Sequence, residues 1–208
     1  MTNEVQGDRE DARSKSAFVI GVAGTHSTGK TTFLSELRQE FGERGLRLGR
    51  VNDLATAARD AGFGILREHT FESTLWIVTR GISEELAAAI AADVVLVDRP
   101  VPDALGYLKA ALEHRGDDLS PAQWAYLWSI ARGHAPRYDL MFKTVVDPSI
   151  PIDTTKERDF DWEYRVRVAA SIDSVFDELQ LPFHELGRGG GASAVEQCLQ
   201  AASEYRER

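Results

Sequence analysis

With a single cysteine, Cys198, the chain cannot form an intrachain disulfide. Cys198 has no chemical neighbours in sequence and reads as a packed thiol on the last helix. Histidine and cysteine show none of the clustering that a zinc hydrolase needs. Long apolar runs are missing too. The longest, Leu86 to Val97, is interrupted by Asp93 and falls short of the roughly 20 residues that span a bilayer. The first sixteen residues are polar and charged rather than secretory in character, so a cytoplasmic protein is the expectation. Positive charge is scarce: 24 Lys and Arg face 33 Asp and Glu, a net charge of −9. That argues against nucleic-acid or anionic-membrane partners, which require a cationic face. A small anion remains open, because a local cluster of backbone N–H groups, Lys and Arg binds phosphate inside an acidic protein.

No internal repeat or linker divides the 208 residues, which suit one domain. Residues 1–16 read as a disordered tail and 17–208 as a single domain. Apolar runs of strand-forming residues fall at Ala17 to Ala23, Leu46 to Val51, Val94 to Val97, Leu140 to Val146 and Pro182 to Leu186. Helical spacing marks Gly29 to Arg44, Asp53 to Gly62, Phe71 to Ala92, Val101 to His114, Ser120 to Arg132, Asp159 to Leu179 and Ala192 to Arg206. On the third of these, Phe71, Leu75, Val78, Ile82, Leu86 and Ala89 form one apolar stripe. Ser120 with Pro121 predicts an N-cap and first-turn proline. Strands alternating with helices predict an α/β fold with a parallel sheet covered on both faces. Ligands of such sheets bind at the carboxyl ends of the strands.

One such end carries Gly24-Thr25-His26-Ser27-Thr28-Gly29-Lys30-Thr31, an ungapped G-x-x-x-x-G-K-[ST] phosphate loop. Its glycines let the backbone bend and approach phosphate without a Cβ in the way. Loop and helix-start N–H groups point at the β-phosphate. Lys30 supplies a point charge for the β- and γ-phosphates, and the Thr31 hydroxyl a Mg²⁺ ligand. Gly24, Ser27, Thr28, Gly29, Lys30, Thr31 and Thr32 are thus the nucleotide-binding candidates, with His26 a spacer. The implied ligands are Mg²⁺ and ATP, with GTP as the alternative. No Asn-Lys-x-Asp run is present to read guanine.

Val94 to Asp98 is an apolar strand ending in a carboxylate, the place for a second Mg²⁺-directed group. Asp98 alone would serve equally as a helix cap; beside the phosphate loop the metal role is favoured. Arg99 follows and can brace phosphoryl oxygens. On the Phe71 helix, Glu72, Trp76, Thr79, Arg80 and Ser83 leave the apolar stripe and form a mixed face. Trp76 either stacks on a flat acceptor ring, flanked by Glu72 and Arg80, or packs on a neighbouring helix, the blander and preferred reading. Asp103 and Tyr107 lie one turn apart and face the same cleft, or else serve as a cap and a packed ring. Arg188, in the glycine-rich run after the last strand, either stacks on adenine or sits in a connector.

GTHSTGKTT at Gly24, NDLATAARDAGF at Asn52, TFESTLWI at Thr70 and VVLVDRPVPDALGYL at Val94 resemble P-loop kinases of small molecules. The likeness is greatest to the nicotinamide riboside kinase-like domain of NadR-type proteins and its AAA-named relatives, and weaker to deoxynucleoside and thymidylate kinases. A looser match is YDLMFKTVVDPSIPID from Tyr138. The resemblance implies a three-layer fold whose five-stranded parallel sheet runs 2-3-1-4-5. It implies that Asp53, where relatives often carry the longer Glu, orients or deprotonates the acceptor hydroxyl. It also implies an arginine-bearing lid, here residues 151–167, with Arg158 and Arg165 as candidates and Arg167 as a substitute. Asp161 and Arg165 would otherwise form a solvated i,i+4 pair. The implied activity is ATP-dependent phosphoryl transfer to a small, nucleoside-like or nucleotide acceptor; the alternative is a regulatory ATP/GTP switch or slow NTPase. A homodimer is left open.

Overall fold

Five short apolar runs become strands, and the computed structural model, which describes residues 16–148, 161–187 and 189–207, pairs all of them in parallel. They are β1 (Phe18–Ala23), β2 (Leu48–Val51), β3 (Val94–Asp98), β4 (Leu140–Thr144) and β5 (His184–Leu186). Their order is β2-β3-β1-β4-β5, the order implied by the resemblance. In register, Phe18 faces Val94, Ile20 faces Leu140, and Phe142 faces His184. β1 is central and buried along its whole length, which is why it reads as continuous apolar sequence rather than alternation.

The strand period of two divides the core into layers. Phe18, Ile20, Val22, Leu96 and Phe142 point to one face. There α1 (Lys30–Glu43) and α7 (Gly191–Glu207) cover them with Phe33, Leu37, Phe41, Val195 and Cys198. The single cysteine is thus a packed thiol, its pKa pushed up to about 12 by burial. Val19, Val95, Val97 and Met141 point to the other face. They meet Tyr107 and Ala110 of α4 (Val101–Arg115) and Tyr164, Val168, Ile172 and Phe176 of α6 (Trp162–Leu179). On this side Val78 of α3 (Phe71–Ala89) and Trp128 of α5 (Pro121–His134) join Val101 and Leu105 of α4 in a satellite core. α2 (Ala55–Asp60) follows β2. No described helix is long and apolar enough to cross a membrane.

Two expectations about elements change. The α3 stripe is rotated: Thr74, Val78 and Glu85 are buried, whereas Leu86 is 46% exposed. Contacts with α4 and α5, absent from any pattern within one helix, set that rotation. α6 begins at Trp162, because the Asp161 carboxylate caps it by accepting the N–H groups of Glu163 and Tyr164. The same carboxylate pairs with Arg67 at 2.8 Å, so the Asp161–Arg165 side-chain pair does not form. Ser120 caps α5 as predicted, reciprocated by Gln123. Residues 1–15 of the predicted tail, most of the predicted lid, and the start of the helix predicted from Asp159 lie outside the described residues.

α4 and α6 approach closely at Gly106, where a Cβ would collide with Ile172, whose Cα lies 2.9 Å from that point. Gly106→Ala is therefore expected to destabilise by about 2 kcal/mol, despite alanine's better helix propensity. Thermal denaturation checks this as a fall of roughly 4–8 °C in Tm.

Candidate active site

The phosphate loop leaves the buried end of β1 and turns into α1 through backbone that few residues tolerate. Gly24 has φ +125°, Ser27 +54° and Gly29 +91°. A Cβ at Gly24 would strike the Thr144 hydroxyl, so the loop packs against the end of β4 as only glycine allows. Thr28 fixes the bend, its hydroxyl 2.9 Å from the Thr25 carbonyl and 2.5 Å from the Thr144 hydroxyl. Lys30 is buried, and its ammonium donates to the carbonyls of Gly24 and Thr25 at 2.7 and 2.5 Å. Burial, aided by repulsion from Arg99, lowers its pKa to about 7 against the pull of Asp103, Asp98 and Asp53.

Thr31, at the start of α1, and Asp98, at the end of β3, line one small cavity together with Ser35. Asp98 Oδ1 is buried without a hydrogen-bond partner, a costly state unless a cation or water completes it. That orphaned oxygen, on a residue that lines a cavity with Thr31, fits Mg²⁺, which takes one or two protein ligands and keeps several waters. Thr32 lines a separate open groove with Thr28, Gly29, Val146 and Gly187, between α1, α7 and the loops after β4 and β5.

On the other side of the loop, Arg99 organises the carboxylates. Its own backbone is left-handed, φ +65°, which turns the side chain inward. Nε donates to Asp53 Oδ2 at 2.7 Å. Nη1 donates to Asp103 Oδ2 at 3.1 Å and to the Gly24 carbonyl at 3.2 Å. The guanidinium also lies 4.9 Å from the Tyr107 ring centre. Arg99 is thus clamped between two carboxylates rather than held free to brace phosphate, because a buried guanidinium requires paired anions. Asp103 in turn accepts the Gly24 N–H at 2.9 Å, tying α4 to the phosphate loop.

The two carboxyls titrate in opposite directions. Burial would raise Asp53, but Arg99 and the Ala55 N–H outweigh it and hold it at about 2. For Asp103 burial dominates over Arg99 and Lys30 and lifts it to about 6. Asp53, Arg99, Asp103 and Tyr107 line one cleft with apolar walls from Leu54, Ile77 and Val101.

Arg165 reaches the loop from α6. It is 2% exposed and donates to the carbonyls of His26 and Ser27 at 3.1 and 3.3 Å. Arg167 turns away and pairs with Glu113. Arg158 and Arg188 lie outside the described residues. Glu72 and Arg80 are not brought to the cleft: both are exposed, and Arg80 pairs with Glu84 at 2.6 Å. Trp76 packs on Phe63, ring centres 5.6 Å apart, and does not line the cleft. Trp76 is packed, the preferred reading, though on Phe63 rather than on a helix; all three stay out of the cleft because the rotation of α3 directs Ile77, Val78, Gly81 and Glu85 inward instead.

Sequence reasoning passed over two cleft residues, His69 and Glu85. A signal for Glu85 existed, a carboxylate one turn from Gly81 and on the face of Val78; His69, in an irregular segment, offered none. Burial, reinforced by Arg99, lowers the His69 pKa to about 4. The unfolded chain therefore takes up a proton near pH 6.5 and the native one only near 4, so His69 removes stability as pH falls through that window. Asp103, raised to about 6, works oppositely between 6 and 3.8. Acidification from pH 6.5 to 4 is expected to favour His69→Gln over the parent by about 3 kcal/mol, read from denaturant unfolding at each pH.

Residues 19–193 match the AAA domain family. The structure of NadR protein in complex with NR superposes with TM-score 0.67 and 19% identity, covering 91% of this chain and 51% of that one. Deoxyadenosine kinase from M. mycoides with bound dATP superposes with TM-score 0.58 and 14% identity, covering 81% and 90%. The chain thus spans about half the length of the NadR chain it matches. No curated protein matches the sequence. With the family match extending over most of the chain, and a phosphate loop at the end of β1 in a 2-3-1-4-5 sheet, the protein belongs to the AAA domain family and has the fold of P-loop kinases.

Proposed function

We propose that this protein transfers the γ-phosphoryl group of ATP to a hydroxyl or phosphate group of a small, nucleoside-like acceptor. The carrying observation is that an apolar cleft and the phosphate loop share a wall: Arg99 and Asp103 line the cleft and both hydrogen-bond Gly24. An acceptor in the cleft and a triphosphate on the loop would meet there. The solved neighbours, NadR with NR and deoxyadenosine kinase with dATP, support a ligand of that class.

Phosphoryl transfer is mostly positioning and charge neutralisation. Thr31 and Asp98 would hold Mg²⁺, which supplies charge neutralisation on the β- and γ-oxygens. Lys30 exchanges its two loop carbonyls for phosphate oxygens. Arg165, already at the loop, provides the lid-side cation. Asp53 aligns the acceptor hydroxyl; with a pKa of about 2 it orients rather than removes a proton. The open groove along Thr28, Gly29 and Thr32 suits the nucleoside end of ATP. The same reading assigns a cytoplasmic protein that acts on small molecules, not nucleic acid.

ADP formation from MgATP, measured across a panel of nucleosides, nucleotides and sugars, tests the proposal. At least one acceptor is expected to accelerate it roughly a hundredfold or more. A flat response across the panel sinks the kinase reading and favours an ATP-binding switch.

A further inference from the structure

Glu85 lines the acceptor cleft yet has no part in the transfer chemistry above. Its side chain is 4% exposed. His134 Nε2, at the end of α5, lies 2.7 Å from Oε2, and the Tyr138 hydroxyl donates to Oε1 at 3.1 Å. That hydroxyl in turn accepts the Val101 N–H at the start of α4, 3.0 Å away. Three elements thus hold one carboxylate at the cleft wall. Asp53 and Asp103 both pair with Arg99, whereas among the described residues no Lys or Arg pairs with Glu85. A carboxylate offers about four lone-pair sites and only accepts; two of them are taken. What Glu85 can still bind is a donor.

Gly81 stands one turn earlier on α3 and lines the same cleft. Glycine inside a helix is unfavourable relative to alanine. Packing does not demand it here, since a Cβ would meet nothing nearer than Leu54 Cδ1 at 3.7 Å. Its effect is to leave flat space beside Ile77 and Val78, next to the carboxylate.

We infer, on the reading that this cleft receives the acceptor, that Glu85 selects acceptors whose flat ring carries an exocyclic amine, with Gly81 making room for the ring. The carboxylate accepts from an exocyclic amine, while an oxo group in its place sets two acceptors against each other.

Calorimetry of the full chain, with Mg²⁺ and a non-hydrolysable ATP analogue, tests this on two matched pairs: adenosine against inosine, and cytidine against uridine. The amino member of at least one pair is expected to bind roughly tenfold or more tightly. Glu85→Gln should bring that ratio within about threefold, because an amide offers either a donor or an acceptor. Gly81→Ala should keep or raise Tm while weakening both members roughly tenfold. A Glu85 that only holds the helices together would instead give Glu85→Gln a lower Tm and an unchanged ratio, which overturns the inference. So does a wild type that binds none of the four nucleosides or prefers no amino member. Should Glu85→Gln fail to fold, His134→Gln keeps the carboxylate but loosens it, and an unchanged ratio there is equally fatal. Binding is read without turnover: preference without ADP formation leaves this inference standing and defeats the kinase reading, and transfer without preference does the reverse.

Discussion

Lys30→Met is expected to lower kcat/KM for phosphoryl transfer by about a thousandfold or more, with little loss of fold stability. The activity loss follows from the charge that Lys30 brings to the β- and γ-oxygens in a water-poor site, a contribution of about 4 kcal/mol to the transition state. The preserved stability follows from burial. Desolvation already depresses the ammonium to about 7, so the fold bears a cost for the charge that methionine of similar shape does not carry. Two hydrogen bonds to the Gly24 and Thr25 carbonyls are lost in exchange. Steady-state kinetics beside thermal unfolding separates the effects; a variant that unfolds cannot be read this way, and one that keeps normal kcat/KM removes Lys30 from the mechanism.

The same depressed pKa makes nucleotide binding pH-dependent. A triphosphate favours the protonated amine, so binding above pH 7 carries proton uptake, and affinity should weaken as pH rises from 7 to 9. Lys30→Met should lack that slope. Calorimetry in buffers of different ionisation enthalpy reads the proton directly.

Asp53→Asn is expected to cut kcat roughly a hundredfold or more while the Kd for MgATP stays within about twofold. The geometry explains why the two separate. Asn can still accept the Ala55 N–H that starts α2, so the cleft wall keeps its shape. Arg99 loses one of its two carboxylates but retains Asp103 and the Gly24 carbonyl. What disappears is the negative charge that aligns an acceptor hydroxyl. A buried pair broken on one side costs about 3 kcal/mol, so Tm should fall even as nucleotide still binds. That cost has a pH signature. Asp53, held at about 2, contributes stability that is complete above pH 3.8 and is lost as pH falls from 3.8 to 2. Asp53→Asn should be flatter than the parent across that acid window. A variant that transfers phosphoryl groups at the parental rate would remove Asp53 from acceptor alignment.

Much of this site is legible in the sequence. The phosphate loop, with its flanking strand and helix, is contiguous, and contiguous chemistry survives in one dimension. Asp98 and Arg99 were legible for the same reason, as the two residues after a four-residue apolar run. Glu72 and Arg80 mislead because helical periodicity fixes spacing but not rotation. The 3.6-residue repeat says which α3 residues share a face, and α4 and α5 decide which face is inside. Arg99 misleads differently. Its position was legible; its partners, Asp53 from β2's end and Asp103 from α4, come together only because parallel strands bring their carboxyl ends to one edge.

By itself, then, the chain's sequence determined the alternation of strands and helices, the phosphate loop, and the acidic charge balance. The tertiary structure alone decided that Arg99 is shared between two carboxylates, that Arg165 rather than Arg167 reaches the loop, and that His134 and Tyr138 hold Glu85 at the cleft wall. The division is physical. Backbone conformation and hydrophobic period are local and leave a linear trace, whereas the pairing of buried charges depends on which distant side chains share a low-dielectric space, and no spacing along the chain records that.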